Sequence, residues 1–141
     1  MIGPLQISLH VAPTNVDSVS RCEPLVIEGR TYRPLALSAA DLQSPFARSF
    51  EEVGERLERL ERMFFEPDGS FVWTGVDDGG QSWQIDGVLY DRAGHLLYVE
   101  IKGACPDDAW RTLLEQISEA GERLVAQWTR QAAIVPVDEL T

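Results

Sequence analysis

Residues Trp83–Gly103, WQIDGVLYDRAGHLLYVEIKG, constrain the fold of this chain more than any other stretch. Two apolar runs flank Asp91-Arg92-Ala93-Gly94, four residues of turn chemistry, so the segment reads as two strands joined by a short turn. The first strand carries Asp86 inside an apolar run from Ile85 to Leu89, and the second runs from Leu96 to Lys102. Alternation puts Tyr98, Glu100 and Lys102 on one face and Leu97, Val99 and Ile101 on the other. Packing does not explain an acid and a lysine side by side at the end of an apolar strand. Lys102 is also the only lysine among twelve basic residues. Where the chain needs a generic surface cation it uses arginine. At 102 it uses a compact, orientable ammonium instead.

The elements around this pair follow from periodicity and punctuation. Residues 4–12 alternate weakly as a first strand, and His10 within them is read as facing solvent or a satisfied neighbour. Pro24–Ile27 and Thr31–Leu37 flank Glu28-Gly29-Arg30 as a hairpin. From about Ala47 to Phe65 the pattern is helical, with Phe50, Val53, Leu57, Leu60 and Phe64 on one stripe. That spacing suits a core helix first and a dimer seam second. Glu66-Pro67-Asp68-Gly69 turns the chain into a strand, Ser70–Val76, and Asp77–Gly80 turns it again. After Pro106, residues 109–128 read as a second helix, and Ala132–Val137 as a short edge strand.

A chain of 141 residues with 44% hydrophobic content suits one domain, 1–141, with a modest core. No apolar run approaches the ~18 residues that span a bilayer, so no membrane association is expected. The N-terminus lacks a basic leader, and two cysteines outside any CxxC suit a reducing, cytoplasmic compartment. Net charge is −11, which argues against a broad nucleic-acid-binding surface. The charge is uneven, however. Residues 1–48 hold four acids and four arginines, so the whole excess lies in 49–141. Nucleic acid would therefore approach from the N-terminal side.

Asp86, thirteen intervening residues, and Glu100-x-Lys102 resemble the signature of the PD-(D/E)xK nuclease superfamily, the restriction-endonuclease-like fold. The order helix, strand, strand with Asp, strand with Glu-x-Lys, helix, strand over residues 47–137 is similar to that family's αβββαβ core. The resemblance implies an α/β (α+β) fold with a mixed central sheet flanked by helices. Residues 1–46 would be a strand and β-hairpin extension, and the last strand would run parallel to the Glu-x-Lys strand. It also implies Mg²⁺ (or Mn²⁺) held by Asp86, Glu100 and the Ile101 carbonyl, with Lys102 orienting water or stabilising the attacked phosphate. A further family Glu maps best onto Glu61, about 60° from the centre of the apolar stripe. A family Gln maps onto Gln116, about 120° from the corresponding centre. Ile85 stands where the signature has proline.

Two function classes compete on this sequence. One is a metal-dependent nuclease acting on DNA or structured nucleic acid. The other is a catalytically silent nuclease-like fold serving as an acidic interaction module for a basic partner protein. An antitoxin- or immunity-type protein, resting on charge and size, is a third reading.

Overall fold

A computed structural model describes all of residues 1–141. The protein is α+β. One seven-stranded sheet carries two helices, with a separate two-stranded hairpin. In chain order the elements are β1 (Ile2–Val11), β2 (Leu25–Ile27), β3 (Arg30–Tyr32), α1 (Phe50–Glu58), β4 (Met63–Phe65), β5 (Ser70–Val76), β6 (Ser82–Arg92), β7 (His95–Cys105), α2 (Asp107–Ile117), β8 (Leu124–Trp128) and β9 (Ile134–Pro136). The sheet order is β4-β5-β6-β7-β1-β8-β9, and every pairing is antiparallel.

Local chemistry sets the boundaries. Ser49 caps α1, its hydroxyl accepting from the Glu52 amide at 3.1 Å, with Glu51 and Glu52 in the first turn where the helix dipole favours them. The β6–β7 turn passes through Ala93 and Gly94, both at positive φ, the conformation a tight hairpin requires. Glu28 and Gly29 do the same between β2 and β3, as the sequence predicts.

Both helices lie on one face of the sheet. Val53 and Leu57 of α1 and Trp110, Leu113 and Ile117 of α2 share a core with Ile7, Leu9, Ile85, Leu89, Val99 and Ile101. The other face of the central strands is open, so the architecture has two layers. No helix is long and apolar enough to cross a membrane.

Four expectations need correction. The mixed αβββαβ core is not shown. The last strand of that core, expected at 132–137 and parallel to β7, is instead β9 at the sheet edge, antiparallel to β8; β8 itself runs in the same direction as β7, with β1 between them and antiparallel to both. The N-terminal segment is thus a central strand of the sheet rather than an extension beside it. The helix predicted from about 47 to 65 ends at Glu58. Arg62 takes a left-handed backbone conformation, and Phe64 belongs to an edge strand, 64% exposed rather than on the helix stripe. The helix predicted over 109–128 stops at Ile117, and Gly121 at positive φ turns the chain into β8. The misreading has a cause. Leu124, Ala126 and Trp128 join the main core, while Val125 on the opposite face packs with Val16, Leu35, Leu42 and Ile134. A strand buried on both faces shows no alternation, and its apolar residues continued the helical stripe.

Candidate functional site

The open face of the central strands carries the polar side chains in register. In one row Asp86 on β6 is opposite Lys102 on β7, which is opposite Gln6 on β1, with Thr129 next beyond β8. In the adjacent row Val88, Glu100, Ser8 and Gln127 follow each other across β6, β7, β1 and β8. In the third, Tyr90 stacks on Tyr98 at 4.5 Å between ring centroids, and Tyr98 stacks on His10 at 5.4 Å. The first two rows and Tyr98 line a cleft of about 420 Å³.

The alternation read from the sequence therefore holds from Tyr98 to Lys102, whereas the register skips Leu97 and Leu96 takes the buried place instead. Asp86, Glu100 and Lys102 lie on one face of two neighbouring strands, and Val99 and Ile101 are buried on the other. Asp86 and Glu100 are diagonal neighbours, a relation that leaves about 7–8 Å between positions, within reach of carboxylates that converge. Four ion pairs form in the protein, and none uses Asp86, Glu100 or Lys102. These three charges do not serve the fold as a salt-bridge cluster. The Gln84 side-chain amide donates to Asp86 Oδ1 at 2.9 Å, holding that carboxylate in place. The neighbouring Glu100 carboxylate raises the Tyr90 pKa, chiefly by favouring the protonated hydroxyl, with desolvation adding to the shift.

Other residues predicted for the site lie elsewhere. Glu61 is exposed in the turn after α1, and its backbone carbonyl accepts from the Trp73 indole at 3.0 Å. Trp73 is a core-side residue, so Glu61 is on the helix side of the sheet. Gln116 is on α2, also on the helix side, and its amide donates to the Thr112 carbonyl at 3.3 Å. Ile101 faces Gly87 on one side and Ile7 on the other. Its carbonyl therefore lies in the plane of a doubly paired ladder, not on the open face.

Sequence reasoning missed Gln6, Ser8, Gln127 and Thr129. The signal for the first two was present. Leu5, Ile7 and Leu9 alternate with Gln6, Ser8 and His10, which puts the latter on the face of Glu100 once β1 pairs with β7. His10 does have a neighbour, since Ser8 Oγ lies 2.8 Å from its Nε2. It is buried rather than solvent-facing, and desolvation lowers its pKa to about 4.

The chain matches no protein-family model, no curated protein and no solved structure.

Two carboxylates on neighbouring strands of an open face fit a single hard cation, which takes oxygen ligands and keeps several waters. No group of three or more His, Cys, Asp or Glu side chains is gathered in the protein.

Proposed function

We propose that the protein acts through the open face of its sheet, as a metal-dependent phosphodiesterase of nuclease type acting on DNA or structured nucleic acid. One observation carries this reading. Asp86, Glu100 and Lys102 stand unpaired by any ion pair, on one face of two adjacent strands, in a cleft. In this reading α1–β5–β6–β7–α2–β8 is a divergent nuclease core with β1 inserted between β7 and β8.

Asp86 and Glu100 would hold one Mg²⁺ or Mn²⁺ ion, which when bound supplies an acidified water and offsets phosphoryl charge. Lys102, directly opposite Asp86, positions the attacking water or counters the charge that develops on the phosphate. Gln6, Gln127 and Thr129, on the β1–β8 side, offer amide and hydroxyl groups to substrate oxygens. That side is the less repulsive approach for a polyanion, because residues 1–48 carry no net charge. Two cysteines that form no disulfide are in keeping with a cytoplasmic setting.

A second reading, an acidic interaction module for a basic protein, is favoured by the net charge of −11 and by the ladder position of the Ile101 carbonyl. Calorimetric titration of Mg²⁺ and Mn²⁺ into wild type and Glu100→Ala, beside cleavage assays on mixed DNA and RNA, separates the two. Metal binding that needs Glu100, with metal-dependent cutting lost in Lys102→Ala, supports the nuclease. No binding at millimolar metal rules it out in favour of the module.

A further inference from the structure

The cation site read above has only two carboxylates, and a neighbouring pair on β1 bears on that gap. Ser8 lies directly opposite Glu100 on β7 and opposite Gln127 on β8, and it lines the same cleft. Its Oγ is 2.8 Å from Nε2 of His10, two residues along the strand. The imidazole is itself 9% exposed and stacks on Tyr98, which stacks on Tyr90. Its Nδ1 has no partner. The ring is therefore held by packing, and its only polar contact is the one to Ser8.

A freely rotating hydroxyl is a poor ligand. A hydroxyl whose proton is taken by a fixed acceptor turns its lone pairs to one side, here toward the cleft and the carboxylate next to it. Hard cations use such oxygens, as in phosphate-binding loops where a Ser or Thr hydroxyl sits on Mg²⁺.

We propose that Ser8, positioned by His10, is a further oxygen ligand of the divalent cation that Glu100 anchors. The proposal rests on reading the cleft as a cation site. Ser8 touches the ion, and His10 is a positioning residue that acts only through Ser8. Coordination requires the Ser8 proton to point away from the ion, and Nε2 is the ring nitrogen in reach. Bound metal therefore fixes His10 as the tautomer protonated on Nδ1.

The test titrates Mn²⁺ by calorimetry into wild type, Glu100→Ala, Ser8→Ala, His10→Phe and the Ser8→Ala/His10→Phe double variant. Far-UV circular dichroism checks that each is folded. Phenylalanine keeps a ring against Tyr98 and removes the acceptor. Ser8→Ala and His10→Phe are each expected to raise Kd about tenfold, the usual scale for a lost ligand or its supporting partner. The double variant should bind no more weakly than Ser8→Ala alone, because the two residues act as one unit. A readout that needs no variant is ¹⁵N NMR of the His10 ring in wild type, with Mg²⁺ added in place of paramagnetic Mn²⁺. It should show Nδ1 protonated and Nε2 bare.

Wild-type affinity in Ser8→Ala, with binding abolished in Glu100→Ala, overturns this inference and leaves the cation site standing. Weakened binding in Ser8→Ala but not in His10→Phe overturns the positioning role. A His10 ring protonated on Nε2 in the metal-bound protein does the same. No binding by wild type overturns the inference and the cation site together.

Discussion

Gly87 sits between Asp86 and Val88 on β6, opposite Phe71 on β5 and Ile101 on β7. It faces the helix side, and the Phe71 ring, 2% exposed, occupies the space a side chain would take. A Cβ at 87 would overlap the ring, meeting Cζ and coming within 2.6 Å of Cε2. The ring has no solvent to move into, since it is packed in the core with Val53, Leu57 and Leu89. Overpacking of this kind costs about 1–3 kcal/mol. Removing a glycine from a strand returns about 0.5–1 kcal/mol in backbone entropy. Gly87→Ala is therefore expected to lose about 1–2 kcal/mol net. At roughly 2–4 °C per kcal/mol, the melting temperature should fall by about 2–8 °C. Phe71→Leu alone opens a small cavity and costs about 1–2 kcal/mol. Combining the two should cost little more than Phe71→Leu, because the leucine vacates the space the new methyl needs. Urea unfolding followed by tryptophan fluorescence on the four proteins gives the coupling energy directly. A Gly87→Ala protein as stable as wild type, or strict additivity in the cycle, would refute the packing argument.

Two further outcomes follow from buried groups. His10 has a folded pKa of about 4, below the ~6.5 of an unfolded histidine, because burial disfavours the charged ring. The unfolded chain then takes up a proton that the folded one refuses. Stability should thus be fully present above pH ~6.5 and fall between pH ~6.5 and 4 by up to about 1.4 kcal/mol per pH unit. His10→Phe should flatten that window in urea melts run at successive pH values, and an unchanged slope would show that other groups cause it. The Cys105 thiol is buried and its pKa pushed up to about 12, by desolvation first and then by Asp107 and Asp108, whereas Cys22 is exposed. Intact mass after maleimide treatment should show one adduct in the native protein and two in denaturant. Two adducts under native conditions would mean that α2 and the end of β7 open readily.

How much of this was legible in the sequence depended on whether a strand was buried on one face or two. The β5–β6–β7 meander was readable because its turns carry Gly and Asp at the required places and β6 and β7 are wet on one side. The placement of Asp86, Glu100 and Lys102 on one face followed from that. β8 was not readable, since Val125 is as buried as Ala126 and the period-2 signal vanishes. Neither was the central position of β1. Alternation reports which face of a strand is wet, but not which strands lie beside it. That single unknown displaced the most from the expected core, because β1 takes the place beside β7 where the last strand was expected. Glu61 and Gln116 failed for a related reason. Both helices cover the same side of the sheet, so Gln116 on α2 and Glu61 in the turn that follows α1 lie away from the open face whatever their angle on a wheel.

The seat of β1 at the middle of the sheet also governs how the protein can be made. Ser8 pairs with Glu100 on one side and Gln127 on the other, contacts separated by about ninety residues or more of chain, the non-local kind that slows folding. The β4–β7 meander and its helix can form early from neighbouring residues, but they present a bare edge at β7 until β1 docks. While that edge is open the nascent protein offers a template for foreign strands. β8 and β9 have no seat in the sheet until the same strand arrives. The segment that closes the structure is thus the one that leaves the ribosome well before its partners. Losing residues 2–11 would not trim an end but divide the sheet in two.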